Sequence, residues 1–247
     1  LLIVAGAGSG KTKVLTSRIA HIIKKNKAFP NQILAVTFTN KAAKEMQLRV
    51  SKLLRKDATG LPWLGTFHSI SAKLLRKHAD AVGLKSNFSI IDQDDQVRLI
   101  KNICKAENVD IKKISPKFIL AIIDKWKNKG FYPQDVILKR KDPLEKNFLS
   151  IYKIYQEKLV NLNSADFSDL ILHTLKIFEK YTDIAELYSK KFKYILVDEY
   201  QDTNFIQSEW LRHLSGHNKN ICCVGDDDQS IYSWRGAEIK NLSLIHI

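Results

Sequence analysis

The sequence predicts an α/β protein in which a parallel-sheet domain is interrupted by a helical insertion. Three observations carry this reading. Short apolar runs alternate with helix-period segments at the front of the chain and again near its end, and strand–helix alternation implies a parallel sheet. Between about 79 and 183 helical periods follow one another with no convincing strand. A glycine-rich turn, "AGAGSGKT" (5–12), joins the first apolar run to the first helix, as in phosphate-binding loops.

Taken in order, Leu1–Val4 reads as a buried strand, four apolar residues running into the glycine turn. Val14, Ile19, Ile22 and Ile23 recur at helical spacing over Lys11–Lys24. Ile33–Thr37 is a second strand, after which Asn40 caps a helix carrying Ala43, Met46 and Val50. Trp63–Thr66 forms a third strand and Ile70–Leu75 opens another helix. Helical patterns then cover Asp94–Ala106, Pro116–Lys129, Leu144–Leu162 and Phe167–Tyr181. The α/β pattern returns with the strand Tyr194–Val197, a helix near Asn204–Leu214 and the strand Ile221–Val224. The expected division is therefore an α/β domain made of 1–78 and 184–247, with a helical domain at 79–183 inserted between them.

A chain of 247 residues with 45% hydrophobic and 27% charged residues has the composition of a folded globular protein. No apolar run reaches the roughly 18 residues of a membrane span, so no membrane partner is expected. Cys104, Cys222 and Cys223 form no CxxC pair, which suits buried thiols in a reducing cytoplasm rather than disulfides or a metal site. The net charge of +14 is unevenly distributed. Residues 1–78 hold fifteen Lys and Arg against Glu45 and Asp57, whereas 184–247 hold seven against nine acids. Of the 40 basic residues 32 are Lys, as a lysine-biased genome would produce, but such a bias spreads evenly. A basic front suggests a polyanion partner; an acidic end suggests carboxylates that bind a cation.

The chemistry concentrates in three stretches. In the first, backbone N–H groups of Ala5, Gly6, Ala7, Gly8, Ser9 and Gly10 and the following helix N-terminus would cradle phosphates. Lys11 would reach the β- and γ-phosphates, and the Thr12 hydroxyl would ligate Mg²⁺. Ala5 stands where the G-x-x-x-x-G-K-[ST] pattern has its first glycine. In the second, "YILVDEYQDTN" (194–204), Asp198 would hold Mg²⁺ and Glu199 would polarise an attacking water. In the third, "VGDDDQSIYSWRGA" (224–237), Asp226–Asp228 and Gln229 would reach the same sheet edge, Gln229 bonding the γ-phosphate. Tyr232, Trp234 and Arg235 would either pack in the interior or stack single-stranded bases.

These stretches resemble the UvrD/Rep/PcrA family of superfamily 1 DNA helicases. The matching residues are AGAGSGKT (5–12), TFTNKAAKEM (37–46), GTFHS (65–69), DFSDL (166–170), VDEYQDTN (197–204) and GDDDQSIYSWRGA (225–237), in family order over essentially the whole chain. The family commonly carries Ala at the position of Ala5. The resemblance implies a RecA-like P-loop NTPase first motor domain with a helical accessory domain at 79–183. It implies ATP and Mg²⁺ as cofactors and 3′-to-5′ movement on single-stranded or duplex-junction DNA, in repair or replication restart alongside repair or replication proteins, in the cytoplasm. Thr37, Phe38, Thr39 and Asn40 would line the strand path, with His68 and Ser69 near the DNA backbone. Trp234 would stack a base between Tyr232 and Arg235. It implies further that an adenine-recognising segment and a second RecA-like domain lie outside these residues. The tail "NLSLIHI" fits the family pattern poorly. RecB- or AddA-like helicase–nucleases share the motor motifs, and an inactive nucleic-acid-binding remnant or another P-loop enzyme such as a kinase remains an alternative. A kinase leaves TFTNKAA and SIYSWRGA unexplained, and a remnant is expected to have lost Lys11 or Glu199.

The charge distribution carries a prediction. Affinity for a single-stranded oligonucleotide falls steeply and linearly on a log–log plot against salt, as phosphate contacts by residues 1–78 release counterions. A flat salt profile in a fluorescence-anisotropy titration contradicts it.

Overall fold

The computed structural model describes residues 1–6, 8–55, 60–111, 113–138 and 143–226. The chain forms two compact units, one of Leu1–Ser71 with Phe178–Ile247 and one of Ala72–Ile177. Both boundaries fall inside helices.

The first unit is built on five parallel strands. Strand β1 (Leu2–Val4) leads through the glycine loop into helix α1 (Lys11–Lys24). Strand β2 (Ile33–Thr37), buried at all five positions, is followed by α2 (Asn40–Leu54), then β3 (Leu64–Thr66) and α3 (Phe67–Lys77). Near the end of the chain, α8 (Thr182–Lys191), β6 (Tyr194–Val197), α9 (Phe205–Ser215) and β7 (Ile221–Gly225) complete the unit. The strand order is β1-β7-β6-β2-β3, and every neighbouring pair is parallel. Parallel pairing brings the carboxyl ends of all five strands to one edge, where ligands bind in such sheets. The apolar stripe of α1 (Leu15, Ile19, Ile22) and that of α2 (Met46, Val50) close over Ile33, Ala35, Leu196 and Val224 from the sheet. A second packing layer is aromatic: Phe67 meets Trp210 edge-on at 5.9 Å, and Trp63 meets Phe192 at 5.3 Å.

Several expectations shift in detail. The first strand, expected to be buried, is an edge of the described sheet with Val4 half exposed, because it pairs only with β7. Asn40 is the first helical residue of α2 rather than its cap. Thr39 takes the cap: its backbone is extended and its hydroxyl accepts the Ala42 N–H at 3.1 Å. Helix α3 starts at Phe67, before the apolar pattern shows it, because Thr66 and Ser69 cap each other's N–H at 2.9 and 3.2 Å. Helix α8 was not anticipated.

The second unit contains α4 (Gln93–Ala106), α5 (Pro116–Lys127) and α6 (Pro143–Asn161), and helix α7 (Phe167–Lys180) lies mostly within it. Asp92 and Ser115 cap α4 and α5, each accepting an N–H three residues on. Ile100, Ile103, Ile119, Ile123, Tyr152 and Tyr155 form its core. The expectation of a segment without strands is corrected by β4 (Ser89–Ile90) and β5 (Ser164–Ala165), which pair in parallel. Two residues are too few to display a period-2 pattern; a partner distant in sequence creates these strands.

A buried charge cluster organises this unit. Lys127 is fully buried, and its Nζ pairs with Asp166 Oδ2 at 2.5 Å and Asp169 Oδ1 at 2.7 Å. Tyr155 donates to Asp166 Oδ2 at 2.9 Å. Asp166 also accepts the Asp169 N–H at 2.9 Å and Asp169 the Asp166 N–H at 3.1 Å, a reciprocal cap that starts α7. Burial favours neutral Lys127, but the two carboxylates outweigh it and raise the ammonium's pKa. Among the described residues, no helix is long and apolar enough to cross a membrane.

Replacing Lys127 with Met leaves two carboxylates buried without their cation. The expected cost is about 3–5 kcal/mol, read as a lower urea midpoint by circular dichroism. A loss below about 1 kcal/mol, the scale of an exposed ion pair, contradicts this role.

Candidate nucleotide site and nucleic-acid edge

The candidate site lies at the carboxyl edge of the first unit's sheet. Ala5 continues the ladder past β1, donating to the Gly225 carbonyl at 3.1 Å. The loop then turns sharply through Gly8 (φ 73°) and Gly10 (φ 90°), left-handed conformations that glycine adopts without a Cβ penalty. Gly10 caps α1 with no side-chain bond, and no acid occupies the first turn. The helix N-terminus therefore keeps N–H groups and partial positive charge available to an anion. Ala7 lies outside the described residues.

Lys11 is the first residue of α1 and is 8% exposed. Its ammonium donates to the Ala5 carbonyl and to Asp226 Oδ2, each at 2.9 Å. Asp226, buried just beyond β7, thus closes the loop against the far end of the fold. Thr12, one residue on, turns its hydroxyl to Asp198 Oδ2 at 3.4 Å. The sheet brings these groups together: Asp198 follows β6, and its N–H bonds the Val36 carbonyl of β2 at 3.0 Å.

Asp198 is 3% exposed, and its Oδ1 has no hydrogen-bond partner among the described residues. Burial, then the neighbouring Glu199 charge, pushes its pKa up to about 6. Asp202 is pushed to about 6 by the same two causes. A buried carboxylate with an unused oxygen beside a threonine hydroxyl fits a hard divalent cation. Mg²⁺ keeps several waters and needs only one or two protein oxygens plus phosphate. No group of three or more His, Cys, Asp or Glu side chains suited to a metal occurs among the described residues.

Glu199 sits in the left-handed region at φ 50° and ψ 47°, sparsely populated for a residue with a side chain. Its Oε2 accepts a bond from Gln201 Nε2 at 2.8 Å. A cavity of about 280 Å³ opens here, lined by Gly8, Gly10, Lys11 and Thr12 of the loop and helix, with Lys13, Arg49 and Glu199. It falls just below the range of ligand sites, roughly 300 to 1,000 Å³. The sequence reading missed Lys13, Arg49 and Gln201. Arg49 projects from α2, where it pairs with Glu45 one turn earlier; nothing local in the sequence separates it from a solvated helix residue.

The second set of expected residues lies along the same edge. Thr37 of β2 is in register with Thr66 of β3, so Thr37–Asn40 and Thr66–Ser69 leave neighbouring strands side by side. Phe38, half-buried, meets Phe67 edge-on at 5.6 Å. Thr39 and Asn40 are exposed, and His68 and Ser69 are half-buried. Thr37 and Ser69 spend their hydroxyls locally, on the Thr39 and Thr66 carbonyls at 3.1 and 3.0 Å. Gln229, Tyr232, Trp234 and Arg235 lie outside the described residues.

A parallel α/β sheet with a glycine loop, a lysine and an acid pair at its carboxyl edge defines a P-loop nucleotide-binding class of protein. More particularly, residues 1–246 match the UvrD/REP helicase N-terminal domain, and the chain belongs to that family. It is 51% identical over 245 residues to the "Probable DNA helicase II homolog" of Rickettsia conorii, covering 98% of this chain and 37% of that protein. It is 46% identical over 242 residues to the "ATP-dependent DNA helicase PcrA" of Staphylococcus aureus, covering 98% of this chain and 33% of that protein. The chain thus spans about a third of the length of the curated relatives it matches.

Asp198 yields a pH test. Its folded pKa lies above its unfolded value, so its contribution to stability is full below about 4 and is lost as pH rises through about 6. Asp198→Asn removes the buried charge and is expected to stabilise the nucleotide-free chain at pH 8 by on the order of 2 kcal/mol. The advantage shrinks as the pH falls through 6. A pH-independent difference in the urea midpoint contradicts the burial argument.

Proposed function

We propose that the chain is the ATP-binding first motor domain of a DNA helicase that moves 3′ to 5′ along single-stranded DNA. In this reading 1–78 and 184–247 form a discontinuous RecA-like domain, and 79–183 form its accessory insertion. The observation that carries it is the meeting of Thr12 and Asp198 at 3.4 Å, beside Lys11 and Glu199, in a chain of the UvrD/REP helicase family.

The loop N–H groups and Lys11 bind the phosphates of ATP, Lys11 exchanging Asp226 for the β- and γ-oxygens. Thr12 and Asp198 hold Mg²⁺, which supplies charge neutralisation on those phosphates. Glu199 orients water and accepts its proton as the water oxygen bonds to the γ-phosphorus and the bond to the β–γ bridging oxygen breaks. ADP and phosphate leave. Gln229 contacts the γ-phosphate, and a second RecA-like domain supplies the arginines that complete the site. Thr37, Phe38, Thr39 and Asn40 line the strand path, His68 and Ser69 serve the DNA backbone, and Trp234 is the base-stacking residue of the group Tyr232, Trp234 and Arg235. Stepping needs two domains whose contacts differ between nucleotide states.

The test is single-strand-stimulated ATP hydrolysis in a chain continued through a second RecA-like domain. Lys11→Ala is expected to abolish both Mg·ATP binding and turnover. Glu199→Gln is expected to keep binding and lower turnover at least about a hundredfold, the scale of a lost general base. Absence of DNA stimulation overturns the helicase reading. For residues 1–247 alone the expectation is weak Mg·ATP binding and no duplex unwinding; measurable unwinding by that chain contradicts the two-domain requirement.

A further inference from the structure

Gln201 joins the candidate base to the end of the last strand. It lies on the short turn Tyr200–Asp202 and is 3% exposed. Its Nε2 donates to Glu199 Oε2 at 2.8 Å, and its Oε1 accepts the Asp226 N–H at 3.0 Å. The orientation of this amide is forced by chemistry: a carboxylate only accepts and a backbone N–H only donates. A side chain with one donor end and one acceptor end satisfies both.

The surroundings are shaped to this contact. A Cβ at Gly225 would lie 2.8 Å from Gln201 Oε1, so any larger residue there would push the amide away. Asp226 carries the line onward, its carboxylate taking the Lys11 ammonium at 2.9 Å. The result is a continuous path of bonds, Glu199–Gln201–Asp226–Lys11, across the ends of β6, β7 and the glycine loop. Glu199 has a left-handed backbone conformation that persists only when neighbours hold it. Its bond to Gln201 is one such restraint.

We propose that Gln201 is a positioning residue that couples the Glu199 carboxylate to the chain leaving β7, so that occupancy of the phosphate site is felt at Asp226. The coupling rests on the nucleotide reading given above. When phosphate draws Lys11 away from the Asp226 carboxylate, the Asp226 N–H stays tied to Glu199 through the amide. The start of the segment that carries Gln229 in the sequence then responds to the nucleotide in step with the candidate base.

The experiment measures amide hydrogen-exchange protection at Asp226 by NMR in the 247-residue chain, with and without saturating Mg·ATP. Wild type is expected to be protected and to change on Mg·ATP addition. Gln201→Met keeps the shape but neither polar end. It should lose about tenfold in protection, the scale of one hydrogen bond, and lose the Mg·ATP response. Gln201→Glu replaces the donor end with a second carboxylate facing Glu199 and should behave like Gln201→Met. A purely space-filling role leaves Asp226 protection unchanged in both variants, so unchanged protection overturns the proposal. A retained Mg·ATP response in Gln201→Met overturns the coupling alone. Failure of wild type to bind Mg·ATP overturns the nucleotide reading and the coupling with it.

Discussion

The ammonium of Lys11 is nearly buried, and a buried cation requires an acceptor at every moment. That requirement ties the fold's beginning to its end. In this structure Asp226, from the last described strand's edge, and the Ala5 carbonyl meet it. They can do so only because β1 pairs with β7, bringing residues more than two hundred positions apart to one sheet edge. Gln201 and Glu199 attach to the same point through the Asp226 N–H. The glycine loop, the acid pair and the exit from β7 are thus one connected polar assembly.

A second buried lysine in the molecule makes the contrast clear. Lys127 has two carboxylates, a tyrosine hydroxyl close by on one of them, and no exposure, so its charge is settled within the second unit. Among the described residues Lys11 has one carboxylate, and it lines a cavity next to a helix N-terminus with no acid in its first turn. Similar chemistry thus gives a fixed internal brace in one unit and, in the other, a cavity-lining lysine for which we propose phosphate as the exchanging partner. Asp198 belongs to the second kind. Its unused oxygen and raised pKa describe a carboxylate held at a cost to the empty fold. Carboxylates perturbed in this way cluster at functional sites.

The elements that could be read from the sequence were those with strong local signals. The bounds of helix α1 were legible from the glycine turn and the apolar spacing, but its core face carries Leu15 with Ile19 and Ile22, while the expected Val14 is exposed. Strands β2 and β6 stood out as continuous apolar runs, the mark of strands buried on both faces. What escaped was created by partners distant in sequence. The pairing of Ser89–Ile90 with Ser164–Ala165 has no period to detect, and the edge position of β1 depends on strand order. DFSDL was visible as a motif, but its reciprocal cap and its lysine, 39 residues before Asp166, appear only in three dimensions. Lys11, Thr12, Asp198 and Glu199 were legible because loop and acid pair each carry their own pattern. Arg49 and Gln201 were not, since a helix arginine and a glutamine beside two acids look ordinary until the sheet folds.

The central claim is that this polar assembly is a phosphate site whose lysine changes partners. A crystal structure of the chain with Mg²⁺ and a non-hydrolysable ATP analogue tests it most directly. The account predicts Lys11 Nζ released from Asp226 and bonded to the β- and γ-phosphates. It also predicts Mg²⁺ held by Thr12 and Asp198. An intact Lys11–Asp226 pair with the nucleotide bound elsewhere, or no metal at Thr12, would contradict it.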